Sequence, residues 1–423
     1  MSVHEHFKLK SHLRYLAYRA GTLSLCLIAC SVNYTYATPP GMPILIERWE
    51  ALDSFFHALE ERERGSGLVR ITHIGDSHII ADFWTGEMRE RLQRRFGDGG
   101  RGFVLGGKMW RSYSQRHVYH RSEGAWEVTN LKRGRDSGVF GPGGAALICA
   151  DESCRTYVET RHHQRASVFD QLDVFTFGHS QGGEFALYVD DQLQGITQTF
   201  SPWLTVNRHR FSLDATAHQV TLHPIQRRGE VWLFGFSLAN SQGGLIYDSI
   251  GLNGAQAKHL LKNSDENLRR GLSLLDAQLL VISFGINEVF DRGYQREAYR
   301  YALDSVLAAI RSPVTGSDLH TRPCLLTGPF AALRRGAPPQ ALNEVYKIQR
   351  ELSARYGCAL WDARTAMGGD IRPWQRAKLA RRDGVHLSRH GYRRIAELFE
   401  ESLMMTWNVW RQRTQDQSLS RTP

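Results

Sequence analysis

The sequence predicts an α/β fold: a mostly parallel sheet with helices on both faces, interrupted by an all-β insert of sandwich type. Three observations point there. Strand-like and helix-like stretches alternate at both ends of the 423-residue chain, the pattern of a parallel sheet covered on both sides. "AQLLVISFG" (Ala277 to Gly285) is a near-continuous apolar run, as expected of a strand buried on both faces. Between about 108 and 242 the texture changes to alternating segments bounded by glycine and polar clusters, with no stretch of a dozen residues that reads as helix.

Taken in order, residues 44–107 read as helix, strand, helix. "LVRITHIG" (Leu68 to Gly75) is β-branched and apolar, and Met88, Leu92 and Phe96 then recur at helical spacing. The middle region carries "RTYVETR", "RASVFDQLDVFTFG", "GEFALYVDDQ", "HQVTLHPIQ" and "EVWLFGFSLAN". From Leu245 onward, strands and helices alternate again. Leu303, Val306, Leu307 and Ile310 form one helical face, "PCLLTGP" and "ALWDA" are strands, and "NEVYKIQRELSARYG" and "GYRRIAELFEESLM" are helices. The expected division is one α/β domain in two segments, 38–107 and 243–410, around a β-sandwich insert, 108–242, with a polar and loose tail, 411–423.

The first residues read differently. Lys8, Lys10, Arg14 and Arg19 precede a short apolar run, "AGTLSLCLIAC" (Ala20 to Cys30), too short for a stable membrane span. Residues 1–37 are therefore expected to be an export signal. "LIAC" fits a lipoprotein box that would leave a lipidated Cys30, and "YTYATPP" offers an ordinary cut after Ala37. The formal charge is +10, and removing residues 1–29 leaves it near +7. Such a surface suits an anionic partner such as cell-wall polymer or a membrane face, and export argues against nucleic acid. In an oxidising compartment the four cysteines beyond the signal suggest two disulfides, Cys149 with Cys154 and Cys324 with Cys358. No cysteine or histidine spacing fits zinc.

The chemistry-bearing stretch is "GDSH", Gly75 to His78, where the first strand ends. Ligands bind at that edge of a parallel sheet. A serine hydroxyl needs a base, an orienting group for the base, and donors for the oxyanion. Asp76 and His78 adjoin Ser77 in the chain, so they cannot easily both face its hydroxyl. "DGVHLSRHGY" places Asp383 and His386 three apart, so the carboxylate can reach Nδ1 and leave Nε2 for a serine. Gly254 in "DSIGLNGAQ" offers a backbone N–H, and Asn287 in "SFGINEVFD" offers a side-chain amide.

Those four blocks, Gly75-Asp76-Ser77, Gly254 in "GLNGA", Gly285-Ile286-Asn287 and Asp383-Gly384-Val385-His386, occur in order. The chain thereby resembles the SGNH (GDSL-type) hydrolase superfamily. The resemblance implies a flavodoxin-like parallel sheet, Ser77 as nucleophile, His386 as base and Asp383 as orienting acid. It also implies an oxyanion hole from Gly254, Asn287 and the Ser77 N–H, with no metal or organic cofactor. Glu288 stands where the family often has Asp. "GDSHIIADFWTGEMRERLQRRFGDGGRGF" and "YDSIGLNGAQ" around a β-rich insert are similar to exported peptidoglycan O-acetylesterases, in which the insert is carbohydrate-binding-module-like. The resemblance implies a periplasmic serine esterase acting on O-acetylated peptidoglycan. Acetyl transfer between sugars and esterase action on another polysaccharide are the neighbouring readings. A glycan-binding surface protein with an inactive hydrolase scaffold is the reading of a different class.

Blander readings accompany these residues. Asp76 and Ser77 are also good helix caps. His78 is expected to be a structural hydrogen bonder, His162-His163 a solvated strand edge, Trp84 and Trp110 packing or cleft residues, and "RERLQRR" (Arg89 to Arg95) the solvated face of a helix.

Overall fold

A computed structural model describes residues 40–133, 140–161, 168–225, 229–311 and 322–419. The expected export signal and the His162-His163 pair lie outside the described residues. Among those described, no helix is long and apolar enough to cross a membrane.

Five parallel strands form the central sheet, in the order Gly244–Gly251, Leu68–Gly75, Leu279–Ser283, Cys324–Thr327, Ala359–Trp361. Counted along the chain this is 2-1-3-4-5, the flavodoxin-like order. Every residue of Gly244–Gly251, Leu279–Ser283 and Cys324–Thr327 is buried, because helices cover both faces of the sheet. The Phe83–Phe96 and Arg389–Leu419 helices share a core with Ile71, Tyr247 and Trp361 through Trp84, Leu92, Phe399 and Trp407. Trp84 packs against Phe330 and Phe399 and is 1% exposed, so it is a core residue, and with Asp76, His78 and Phe330 it also lines a small cavity.

Two further sheets are antiparallel, with orders given by Thr205–Ala217, Phe169–Gly178, Val231–Ala239, Ala145–Cys149, Glu127–Asn130, and by Val118–Glu123, Arg155–Thr160, Gln219–Ile225, Glu184–Val189, Gln192–Gln198. Their apolar residues, among them Phe175 and Leu233 from one and Phe185 and Leu222 from the other, share a core. Gly102–Leu105 pairs with Val231–Ala239, so antiparallel pairing begins ahead of the change in texture at 108. The chain leaves and re-enters the parallel sheet side by side: Asn240 N donates to Gly99 O (2.9 Å), and Gly99 N to Leu245 O (3.2 Å).

Both cysteine pairs are bridged. Cys324 and Cys358 meet because Cys324 opens one strand and Cys358 immediately precedes its neighbour, with Leu325 paired to Ala359.

Two expectations need correction. The Arg89–Arg95 run is a solvated face only in part: Arg94 and Arg95 are exposed, but the rest turns inward. Arg89 is 3% exposed and forks onto Asp82 (3.0 Å to each oxygen), Arg91 meets Glu397 and Glu400, and Arg95 meets Glu63. The helix lies between the sheet and the last helix, so its cations find carboxylates there. The tail past Trp410 is not loose as far as Leu419. The last helix continues to that residue, held where Arg411 meets Glu63 (2.8 Å) and Arg413 meets Glu50 (3.2 Å).

Candidate active site

The strand Leu68–Gly75 delivers Ser77 to the carboxyl edge of the sheet. After it the chain turns twice, Ile79 N donating to Asp76 O (3.1 Å) and Asp82 N to Ile79 O (3.0 Å), before a helix begins at Phe83. The N-cap position is Asp82, so Ser77 caps nothing. Gly75, Asp76 and His78 are buried and Ser77 is half-buried, leaving its hydroxyl as the accessible polar group of the block. The position lies between the first and third strands along the chain, the switch point of this sheet order, where ligands bind in open α/β sheets.

Asp383 and His386 sit on a tight loop closed by Arg381 N donating to His386 O (2.8 Å). Gly384 turns it with φ +74, and an added Cβ would lie 2.6 Å from Leu333 O, so only glycine fits. One Asp383 oxygen accepts from the backbone N–H groups of Val385 and His386 (2.9 Å each) and the other from His386 Nδ1 (2.9 Å). A carboxylate can only accept here, so the ring proton sits on Nδ1 and Nε2 is an acceptor. Ser77 Oγ lies 3.0 Å from that Nε2, across 309 residues of sequence. Partial burial pushes the Asp383 carboxyl up, but the two backbone donors and the His386 ring outweigh it and hold it below its ordinary value.

Gly254 and Asn287 follow the two strands that flank the first. Leu252 to Ala255 form a turn, with Ala255 N donating to Leu252 O (3.0 Å) and Leu252 N to Gly75 O (3.1 Å). Gly254 at its third position has φ +63, as a type II turn requires. The Asn287 amide donates to Ala255 O (2.8 Å) and to Asp76 Oδ2 (3.1 Å). All the site residues expected from the sequence thus gather at one edge of the sheet.

His78 is the structural hydrogen bonder expected from the sequence, and Asp76 has a role that the sequence did not reveal. Asp76 Oδ1 accepts from the backbone and Nδ1 of His78 (2.9 Å each), while Oδ2 takes the Asn287 amide. His78 Nε2 faces the Val385 carbonyl at 3.3 Å. Both ring nitrogens therefore face acceptors, which calls for an imidazolium. Burial pushes its pKa down, but the Asp76 charge and hydrogen bond, the Val385 carbonyl and Asp383 raise it overall. Glu288, buried, accepts from Ala257 N (2.8 Å) and Gly285 N (3.1 Å). Burial, opposed by these donors and reinforced by Asp76, pushes its carboxyl up to about 7. Among the described residues no cluster of side chains could hold a metal ion.

Residues 223–394 match the profile of the GDSL-like lipase/acylhydrolase family. A solved peptidoglycan O-acetylesterase overlays on 86% of this chain and 99% of its own with a TM-score of 0.71 at 24% identity. The chain has the SGNH hydrolase fold. A lipase/acylhydrolase from Enterococcus faecalis is 22% identical over 37% of this chain and 74% of its own (TM-score 0.29). An acetylxylan esterase from Geobacillus stearothermophilus is 16% identical over 39% and 75% (TM-score 0.31). No curated protein sequence matches. The matched span takes in Gly254, Asn287, Asp383 and His386 but not Ser77, which the antiparallel sheets separate from the other blocks.

Proposed function

We propose that this chain is an exported serine esterase that removes O-acetyl groups from peptidoglycan. The observation that carries this reading is the Asp383–His386–Ser77 relay, with hydrogen bonds of 2.9 and 3.0 Å. The likeness to a peptidoglycan O-acetylesterase and the basic charge, near +7 once the export segment is removed, favour an anionic cell-wall glycan over a neutral polysaccharide.

In this mechanism Ser77 Oγ attacks the acetyl carbonyl carbon as its proton passes to His386 Nε2. Asp383 holds the ring and offsets the positive charge that forms on it. The tetrahedral oxyanion meets the N–H groups of Ser77 and Gly254 and the Asn287 amide, which exchanges its longer bond to Asp76 for the substrate oxygen. The tetrahedral species collapses, the C–O bond to the sugar breaks, and His386 returns its proton to the sugar oxygen. Water, deprotonated by His386, attacks the acetyl-serine. Collapse then releases acetate, and the proton returns to Ser77.

The proposed division is a hydrolase domain of residues 38–107 and 243–410 and an insert, 108–242, that holds the polymer. The insert presents Phe200, Trp203 and Leu204 at 57%, 77% and 59% exposure, a surface suited to the apolar faces of sugars. Export through residues 1–37, with Cys30 lipidated or a cut after Ala37, completes the proposal.

The test is acetate release from O-acetylated peptidoglycan by purified protein, with Ser77→Ala alongside and acetylated xylan as a second substrate. Release from peptidoglycan that Ser77→Ala abolishes supports the reading. Preference for xylan moves the substrate to another polysaccharide. Glycan binding without acetate release makes the chain a binding protein on a hydrolase scaffold.

A further inference from the structure

The turn that carries Gly254 is gripped by a cation from the antiparallel part of the chain. Lys132 Nζ donates to the backbone carbonyl of Asn253 (2.9 Å). It lies so close to Gly254 that a Cβ added there would be 2.7 Å from it. Lys132 sits on a tight chain reversal, in which Asn130 N donates to Arg133 O (2.9 Å), and Asn130 Oδ1 accepts from Lys132 N (2.9 Å) and Arg133 N (3.0 Å). The Asn253 side-chain amide is held as well, by Ser112 Oγ.

The Asn253 carbonyl and the Gly254 N–H are two ends of one planar peptide unit. It is the central peptide of the Leu252–Ala255 turn. A glycine third residue tolerates either sign of φ, so this peptide can flip between the type II and type I arrangements at little cost. A flip reverses the N–H. The turn's own sequence therefore leaves the direction of that donor open.

We infer that Lys132 is a positioning residue of the oxyanion hole: by holding the Asn253 carbonyl it fixes the direction of the Gly254 N–H. This rests on the serine-esterase reading, in which that N–H meets the oxyanion. Two effects follow from the chemistry. A charge-assisted hydrogen bond to the carbonyl makes one orientation of the peptide dominant. It also draws electron density toward the carbonyl oxygen and so strengthens the N–H as a donor. Half-burial supports the tie, because water competes less for the ammonium. Desolvation, with Arg133 adding to it, pushes the Lys132 pKa down. The antiparallel part of the chain thereby contributes to the reaction centre itself.

The test uses the full-length protein and a small aryl acetate, which is too short to span both parts of the chain. Lys132→Met keeps the aliphatic stem and removes the charge; Lys132→Arg restores a donor. Lys132→Met is expected to lower kcat by about 10- to 100-fold with KM nearly unchanged, the scale of a misdirected group and less than the loss of a donor outright, on the order of 10²–10³. The melting temperature should stay near that of the wild type, and Lys132→Arg should recover much of the rate. Unchanged kcat in Lys132→Met overturns the inference, as does a rate loss that follows a fall in melting temperature and is not recovered by arginine. Ser77→Ala in the same assay separates the two levels. Its retained turnover would remove the serine-esterase reading; an inactive Ser77→Ala beside a fully active Lys132→Met would remove only the role of Lys132.

Discussion

The imidazole rings of His78 and His386 stack with their centroids 5.4 Å apart and their planes 22° from parallel. One ring belongs to the relay; the other bridges Asp76 and the Val385 carbonyl next to it. The His78 pKa is raised, so the stability it contributes is present below the ordinary value of 6.5 and is lost as pH rises through the raised folded value. His78→Gln should lessen the loss of melting temperature expected of the wild type as pH rises above about 6.5. It should also lower kcat several-fold to about 10-fold by loosening the loop that carries His386. Parallel melting curves across that pH range, with equal kcat, would show that the ring only fills space.

Asn287 is the second residue of the Ile286–Phe290 helix, whose N-cap is Gly285, so it does not cap the loop after the strand. Asn287→Ala should lower kcat on the order of 10²–10³ with little change in KM, because the charge it meets develops only in the transition state. Loss of the bond to Ala255 O should cost about 1 kcal/mol of stability. Steady-state kinetics and a melting curve on one preparation measure both; intact kcat with a lowered melting temperature would leave Asn287 a purely structural role.

Glu288 carries a carboxyl raised to about 7. A raised carboxyl contributes stability that is present below its unfolded value of 4.5 and is lost as pH rises through the folded one. Glu288→Gln, which stays neutral, should match the wild type near pH 4 and exceed it above pH 7, by an amount on the order of 3 kcal/mol at full ionisation. Denaturant melts at several pH values test the sign. A variant less stable than the wild type at pH 8 would mean that the charged carboxylate is needed to hold Ala257 and Gly285.

The disulfides should contribute unequally. Cys324–Cys358 closes a separation of 34 residues and Cys149–Cys154 one of 5. Loop entropy then assigns about 4 kcal/mol to the first and roughly 2 kcal/mol to the second. Paired serine replacements, compared by denaturant midpoint, should show the larger loss for the first. Equal losses would place the effect in native packing and not in the unfolded chain.

The residues themselves determined the element types and the four blocks of the site. Those signals are local: hydrophobic period marks a strand or helix, and Ser77, Gly254, Asn287, Asp383 and His386 each stand just past an apolar run or just before a helical one. The spacing of Asp383 and His386 was enough to pair them, since three residues on a tight loop bring a carboxylate to an imidazole. What lies between distant segments was decided only by tertiary packing. Nothing local to "GDSH" says which histidine Ser77 faces. Two strands separate the last strand from the first in the sheet, and the chain after the last folds back over the carboxyl edge to set His386 against Ser77, 309 residues away in sequence. The same packing turns Arg89 inward onto Asp82, makes Asp76 the shared acceptor of His78 and Asn287, and lays Lys132 against the Asn253 carbonyl. A hydrogen bond between side chains hundreds of residues apart has no period and no motif. It exists because buried surfaces fit, and that fit is a property of the folded chain.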